Sequence, residues 1–145
     1  MKSKKEVAVE HFQSGFNCAQ SVVAAFCEKY HMDKETALKT TSGFGAGFRS
    51  GEVCGAVSGA VMVIGLKYGQ TVGEDKPTKD FCNQKTLEFT TAFEAKNKTI
   101  VCRELLGFDK SQKEEFEKAK AQNIFKETCA KIIESSVEIL EELGY

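Results

Sequence analysis

Cysteine is the residue best placed to do chemistry in this chain: six of its 145 residues are Cys18, Cys27, Cys54, Cys82, Cys102 and Cys129. A thiolate is at once a nucleophile, a redox centre and a soft metal ligand. No CxxC occurs, and the closest pair, Cys18 and Cys27, is nine residues apart. That spacing excludes sequence-local zinc knuckles, thioredoxin-like motifs and covalent haem attachment. Any shared site must therefore be assembled by the fold. The opening MKSKKEVAVEHFQSGFNC has lysines but no apolar core or cleavage site behind them, so no secretory signal is expected. The expected setting is cytoplasmic, where thiols serve metal binding or redox chemistry rather than a disulfide framework.

The elements that must position these thiols read as helices. An amphipathic helix spans residues 3–14 and Gly15 stops it, while Asn17 is a good N-cap for a second helix over 18–30. Asp33 caps a third, short helix. The glycine loop 43–51 leads into an apolar helix over about 52–68, closed by Gly69, and Pro77 opens a fifth helix to about 96. Thr99 caps a short helix ending at Gly107. Ser111 with Glu114 forms a capping box, from which a long helix, broken near Gln122, runs to Gly144. Its inward stripe takes Ile124 or Phe125, Cys129, Ile132, Ile133, Ser136, Leu140 and Leu143. The expected fold is all-α, one domain over residues 1–145. It is a compact bundle of five to seven helices with a Gly-rich loop before a central apolar helix. The longest apolar run, VCGAVSGAVMVIGL, has 14 residues and falls short of a membrane span.

Placed on these helices, the cysteines divide. Cys18 and Cys27 are about 900° apart around one helix and face opposite sides. Cys27 reads as packing, as does Cys82, which shares a stripe with Phe89 and Phe93. Cys18, Cys54 and Cys102 fall at three helix starts, where spare N–H groups and the helix dipole lower a thiol's pKa and favour anions. Cys129, mid-helix on the inward stripe, completes a set of four. Gly51, Gly55 and Gly59, with Ala56 and Ala60, leave one helix face almost bare, so a helix or a cofactor can approach the backbone closely. Four thiolates suit an iron–sulfur cluster of 2Fe–2S or 4Fe–4S type, whose potential N–H donors tune. They also suit a structural zinc ion. Metal-free thiol–disulfide cycling, for example between Cys18 and Cys54, is a third reading.

Other chemistries find little support. A net charge of −1 and no basic run give no nucleic-acid interface. His11 and His31 read as solvent-facing or helix-end residues, and no catalytic triad stands out. GFGAG is not the dinucleotide fingerprint, and no phosphate loop is present. Arg49 and Arg103, the two arginines, each lie near a cysteine of the set. Surface ion pairing is their expected role, with screening of cluster charge or contact with an acidic redox partner as the functional alternative. Glu52 is placed to favour the N-terminus of its helix.

The stretches CGAVSGA at 54–60, NCAQSV at 17–22 and CRELLG at 102–107, with GEVCGA, LKYG and a late cysteine before IIE and EILEEL, resemble the C_GCAxxG_C_C redox-active family. The likeness runs over about residues 8–143. It implies that Cys18, Cys54, Cys102 and Cys129 are the family cysteines and that Cys27 and Cys82 are additions of this sequence. It also implies a helical domain related to the cluster-bearing part of split-Soret cytochromes, with an iron–sulfur site. The haem-binding part is not expected, since CxxCH is missing. The resemblance implies a redox-active role, and together with the helix-start thiols the expected activity is electron transfer or redox sensing with a partner protein, rather than catalysis on a substrate of its own. A homodimer through the glycine-striped helix is a further expectation.

Overall fold

A computed structural model describes residues 1–109, 112–121, 123 and 125–145, Phe125 by its backbone alone. The expected cap at Ser111, the break at Gln122 and the stripe position at Ile124 or Phe125 lie outside what is described. Capping chemistry sets four of the helix starts. Ser3 caps α1 (Lys4–Gln13), Asn17 caps α2 (Cys18–Phe26), and Asp33 caps α3 (Lys34–Thr40), each accepting a backbone N–H from the third residue on. Asp75 does the same for α5 (Lys76–Asn97), with Pro77 in the first turn as expected. Between α3 and α5 lie the glycine loop and α4 (Gly55–Tyr68). The chain then forms α6 (Cys102–Leu106), α7 (Lys113–Ala121) and α8 (Ala130–Glu142).

The described residues thus form an all-α fold with eight α-helices, one or more beyond the expected five to seven. The extra helix arises where the last segment divides. Asn123 takes a left-handed φ of 57°, and a wide π turn, Phe125–Cys129, leads into α8. The second helix also ends earlier than expected. After Phe26 the chain tightens into a 3-10 turn, Cys27–Tyr30, closed by His31 at a left-handed φ of 65°. Among the described residues no helix is long and apolar enough to cross a membrane.

The apolar helix begins three residues later than the sequence suggested. Residues 52–54 stand outside the helix, and Val53 pairs with Val101 in an isolated antiparallel bridge. β-Branched Val53 before Cys54, and Ile100 and Val101 before Cys102, favour that extended backbone over helix. Glu52 therefore stands outside the helix it was expected to favour.

Helix α4 is the centre of the bundle and packs on α2, α5 and α8. Its glycines explain how closely α2 lies. A Cβ added to Gly59 would stand 2.8 Å from the Ala19 carbonyl oxygen, and one on Gly55 would stand 3.0 Å from the Ala19 nitrogen. The bare face thus meets a helix of the same chain, which leaves it unavailable to a twin subunit. Phe26, Val57, Ile64, Phe89, Phe93, Ile133 and Leu140 fill the surrounding core. Gly59→Ala should lower stability by about 1–3 kcal/mol, because backbone rather than a flexible side chain would have to yield. Urea unfolding would read this; unchanged stability would mean that α2 does not lie so close.

Candidate functional site

Three of the four candidate thiols, Cys18, Cys54 and Cys102, are delivered by the start of a helix, and Cys129 by the junction of a π turn with α8. Cys18 is the first residue of α2, whose capping box is complete: Asn17 Oδ1 accepts the Gln20 N–H and Gln20 Oε1 accepts the Asn17 N–H, both at 2.8 Å. Asn17 Nδ2 also donates to the carbonyls of Thr41 and Ser42, at 3.2 and 3.1 Å. One side chain thus joins the start of α2 to the base of the glycine loop. Asn17→Ala should cost about 2 kcal/mol, at the upper end for a cap, measured as a drop in urea midpoint. A loss below a few tenths would deny the loop contacts any weight.

The bridge at Val53 and Val101 positions the next two thiols. The Cys54 N–H donates to the Ile100 carbonyl at 2.8 Å, and the Cys102 N–H donates to the Glu52 carbonyl. This register makes Cys54 and Cys102 diagonal neighbours on one face of the bridge, a relation that spaces residues about 7–8 Å apart. Cys54 is the N-cap residue of α4, and Cys102 is the first residue of α6. Val101, not Thr99, precedes α6 as its N-cap residue. Thr99 Oγ1 instead accepts the Val101 N–H at 3.0 Å, at the bridge. Cys129 ends the π turn and leads into α8 with helical angles. Its backbone continues a helix, so the argument from spare N–H groups does not extend to it.

All four side chains are buried, between 3% and 8% exposed, and all four line one small cavity of about 10 Å³. Ala46, Leu105, Leu106 and Ile132 supply apolar wall, and Gly55 supplies backbone. Neither Gly51 nor Gly59 reaches that cavity. Gly59 lies against Ala19, and Gly51, at a φ of 69°, lies against the Asp109 carboxylate. Cys27 is fully buried in the core outside the cavity, with its Sγ 3.8 Å from the Ala24 carbonyl. Cys82 is half-buried on α5. All six cysteines are thiols rather than disulfides.

Burial overturns the expectation that a helix start lowers the Cys54 pKa. Desolvation pushes this thiol up to about 12, against the Ala56 N–H, which favours the thiolate. The nearby sulfurs of Cys102 and Cys129 raise it further, and the Val57 N–H opposes them. Cys54 is thus protonated at neutral pH, although N–H donors already face its sulfur. Arg103 lies beside the cavity, donating from Nη1 to the Gly51 carbonyl at 2.9 Å and pairing with Glu52 at 3.0 Å. Arg49 is exposed on the glycine loop. His11 and His31 sit at helix ends, as expected, with His11 Nδ1 2.8 Å from the Val7 carbonyl.

The donor set fits a thiolate-ligated centre: four thiols, no carboxylate among the described residues of the cavity wall, and N–H groups that favour the Cys54 thiolate. The spacing does not yet suit one ion. Among the described residues, no three His, Cys, Asp or Glu side chains are grouped closely enough to hold a metal ion. A cavity of about 10 Å³ has room for about one water molecule. Loading any centre therefore requires part of the wall to move.

Sequence reasoning missed the bridge, the apolar wall and the unusual path of the glycine loop. The first had a signal, in the β-branched residues ahead of Cys54 and Cys102. A family model described as "Putative redox-active protein (C_GCAxxG_C_C)" matches residues 16–143. No curated protein and no solved structure matches the chain.

Proposed function

Because the chain belongs to the C_GCAxxG_C_C family of redox-active proteins, we propose that it carries or senses electrons at an iron–sulfur cluster held by Cys18, Cys54, Cys102 and Cys129. The observation that carries this reading is the convergence of these four thiols, from four distant segments, on a single cavity. When bound, a cluster supplies reversible one-electron oxidation and reduction. The chain's own residues do the rest. Each cysteine gives up its thiol proton and offers a thiolate. The Ala56 N–H, already favouring the Cys54 thiolate, steadies negative charge on sulfur. Leu105, Leu106 and Ile132 keep water away, and Arg103, paired with Glu52, holds the Gly51 carbonyl next to the bridge.

Two alternatives rank lower on physical grounds. Zinc has no redox chemistry of its own, which sits poorly with a redox-active family. Thiol–disulfide cycling needs an accessible thiolate, and Cys54 is buried and protonated at neutral pH.

The test is to purify or reconstitute the protein without oxygen and to quantify iron, acid-labile sulfide and visible absorption. Iron and sulfide together, with broad absorption that bleaches on reduction, are expected. Colourless protein without iron after reconstitution defeats the proposal, and zinc at one per chain without sulfide replaces it with a structural site.

A further inference from the structure

The glycine loop follows a path that L-amino acids avoid. Four consecutive residues have positive φ: Ala46 at 53°, Gly47 at 61°, Phe48 at 59° and Arg49 at 60°. Left-handed backbone is tolerated at isolated glycines, whereas here three of four residues carry a Cβ. Such strain persists only where surrounding contacts hold it. The contacts are visible. The Glu52 N–H donates to the Gly47 carbonyl at 3.1 Å, and Ser50 Oγ donates to the Phe48 carbonyl at 3.2 Å. The Phe48 ring meets Phe44 edge-on at 5.3 Å, and Arg103 secures the Gly51 carbonyl at 2.9 Å.

This turn also forms part of the cavity wall, through Ala46. The remaining wall belongs to α2, α4, α6 and α8 or to the residues that begin them. The turn is flanked by glycines at 45 and 51, and Phe48 and Arg49 at its outer side are exposed. Phe48, Arg49 and Ser50 are exposed and the rest of the segment is glycine and Ala46, so it packs few side chains against the wall, and moving it releases strain. The thiols need such a movement, since about 10 Å³ admits no reagent larger than water.

We propose that residues 45–51 are a strained cover over the thiol cavity, closed in the left-handed turn and opened by relaxation to ordinary backbone angles, and that this opening is the step that admits a metal, a cluster or a thiol reagent. The inference takes the four-thiol cavity from the reading above but needs no cofactor in it. Opening here is favoured by the strain and opposed by the contacts just named. Removing the strain alone must therefore hold the cover shut.

Glycine and alanine variants at one position separate strain from every other effect. Arg49→Gly and Arg49→Ala lose the same charge and side chain, and only glycine is at ease at positive φ. Phe48→Gly and Phe48→Ala form a second pair with the same logic. The full-length protein, reduced and kept metal-free with a chelator, is labelled with N-ethylmaleimide, and each cysteine is followed by mass spectrometry. In the unsubstituted protein Cys54 and Cys102 should react faster than the core thiol Cys27, which needs a larger opening. In each pair the glycine variant should label Cys54 and Cys102 roughly three- to tenfold more slowly than the alanine variant. Equal rates within both pairs, or faster labelling of the glycine variants, overturn the cover. So does labelling of Cys54 and Cys102 no faster than Cys27. Cluster loading is scored separately. Failure to take up iron with the glycine effect intact sinks only the cofactor, and iron uptake without the glycine effect sinks only the cover.

Discussion

Alanine at Cys18, Cys54, Cys102 or Cys129 should each reduce bound iron and sulfide to background after anaerobic reconstitution, while Cys27→Ala and Cys82→Ala keep the full visible spectrum. The division follows from placement. The first four side chains face one cavity from four helical segments, so removing any one leaves three donors and an open coordination position on a centre walled by leucine and isoleucine. Among the described residues no His, Asp or Glu lines that cavity, so none of them stands ready to replace the lost thiolate. Cys27 sits fully buried elsewhere in the core. Its truncation removes packing and should cost about 1 kcal/mol of stability with the chromophore unchanged. Opposite responses of stability and colour in Cys27→Ala and Cys102→Ala are the signature to look for. A variant set in which Cys82→Ala bleaches the protein and Cys129→Ala does not would reject the assignment.

Much of the fold was legible because its signals are local. Asn17, Asp33 and Pro77 act at the ends where capping chemistry put them, and the spacing of Cys129, Ile132, Ile133, Ser136 and Leu140 marked the inward face of α8, where all five are buried. What stayed hidden depends on distant partners. The bridge between Val53 and Val101 joins segments nearly fifty residues apart, and helical propensity alone runs the apolar helix straight through it. The glycines of α4 were legible as a bare face, but nothing local says what fills it. Ala19 of α2 does.

The site was half legible for the same reason. Helix starts and an inward stripe singled out the four cysteines that share the cavity, whereas the face argument for Cys27 assumed a helix that in fact ends at Phe26, before that residue. The electrostatics at Cys54 came out with the opposite sign. A helix start and its N–H groups are local and readable, whereas burial is a property of the assembled bundle, and at this position burial wins. The left-handed turn is likewise a tertiary product. Ala46, Phe48 and Arg49 have no preference for positive φ, and contacts to Glu52, Phe44 and the Arg103-bound Gly51 hold the segment there.

That reversed sign makes alkaline stability the second large effect. In the reduced, metal-free protein the folded state keeps the Cys54 proton up to a pH of about 12, while the unfolded chain releases it near 9.0. Between those values the native state binds the extra proton, so stability falls as pH rises, whereas below pH 9.0 this group contributes no slope. The loss through Cys54 is on the order of 4 kcal/mol over the whole window. Tyr145, also pushed up by burial, adds to the decline in every variant that retains it. Urea midpoints at several pH values from 8 upward should therefore fall steeply for the unsubstituted chain and more gently for Cys54→Ala, with the two profiles parallel at the lower end. Parallel profiles throughout would mean that Cys54 titrates as an exposed thiol and that the cavity is wet. The same proton must leave before Cys54 can bind a metal, so iron uptake by apoprotein should quicken as pH rises from 7 to 9, where stability through this residue is still intact. Uptake that ignores pH would place the limiting step elsewhere, in the opening of the cavity rather than in the ionisation of its least acidic ligand.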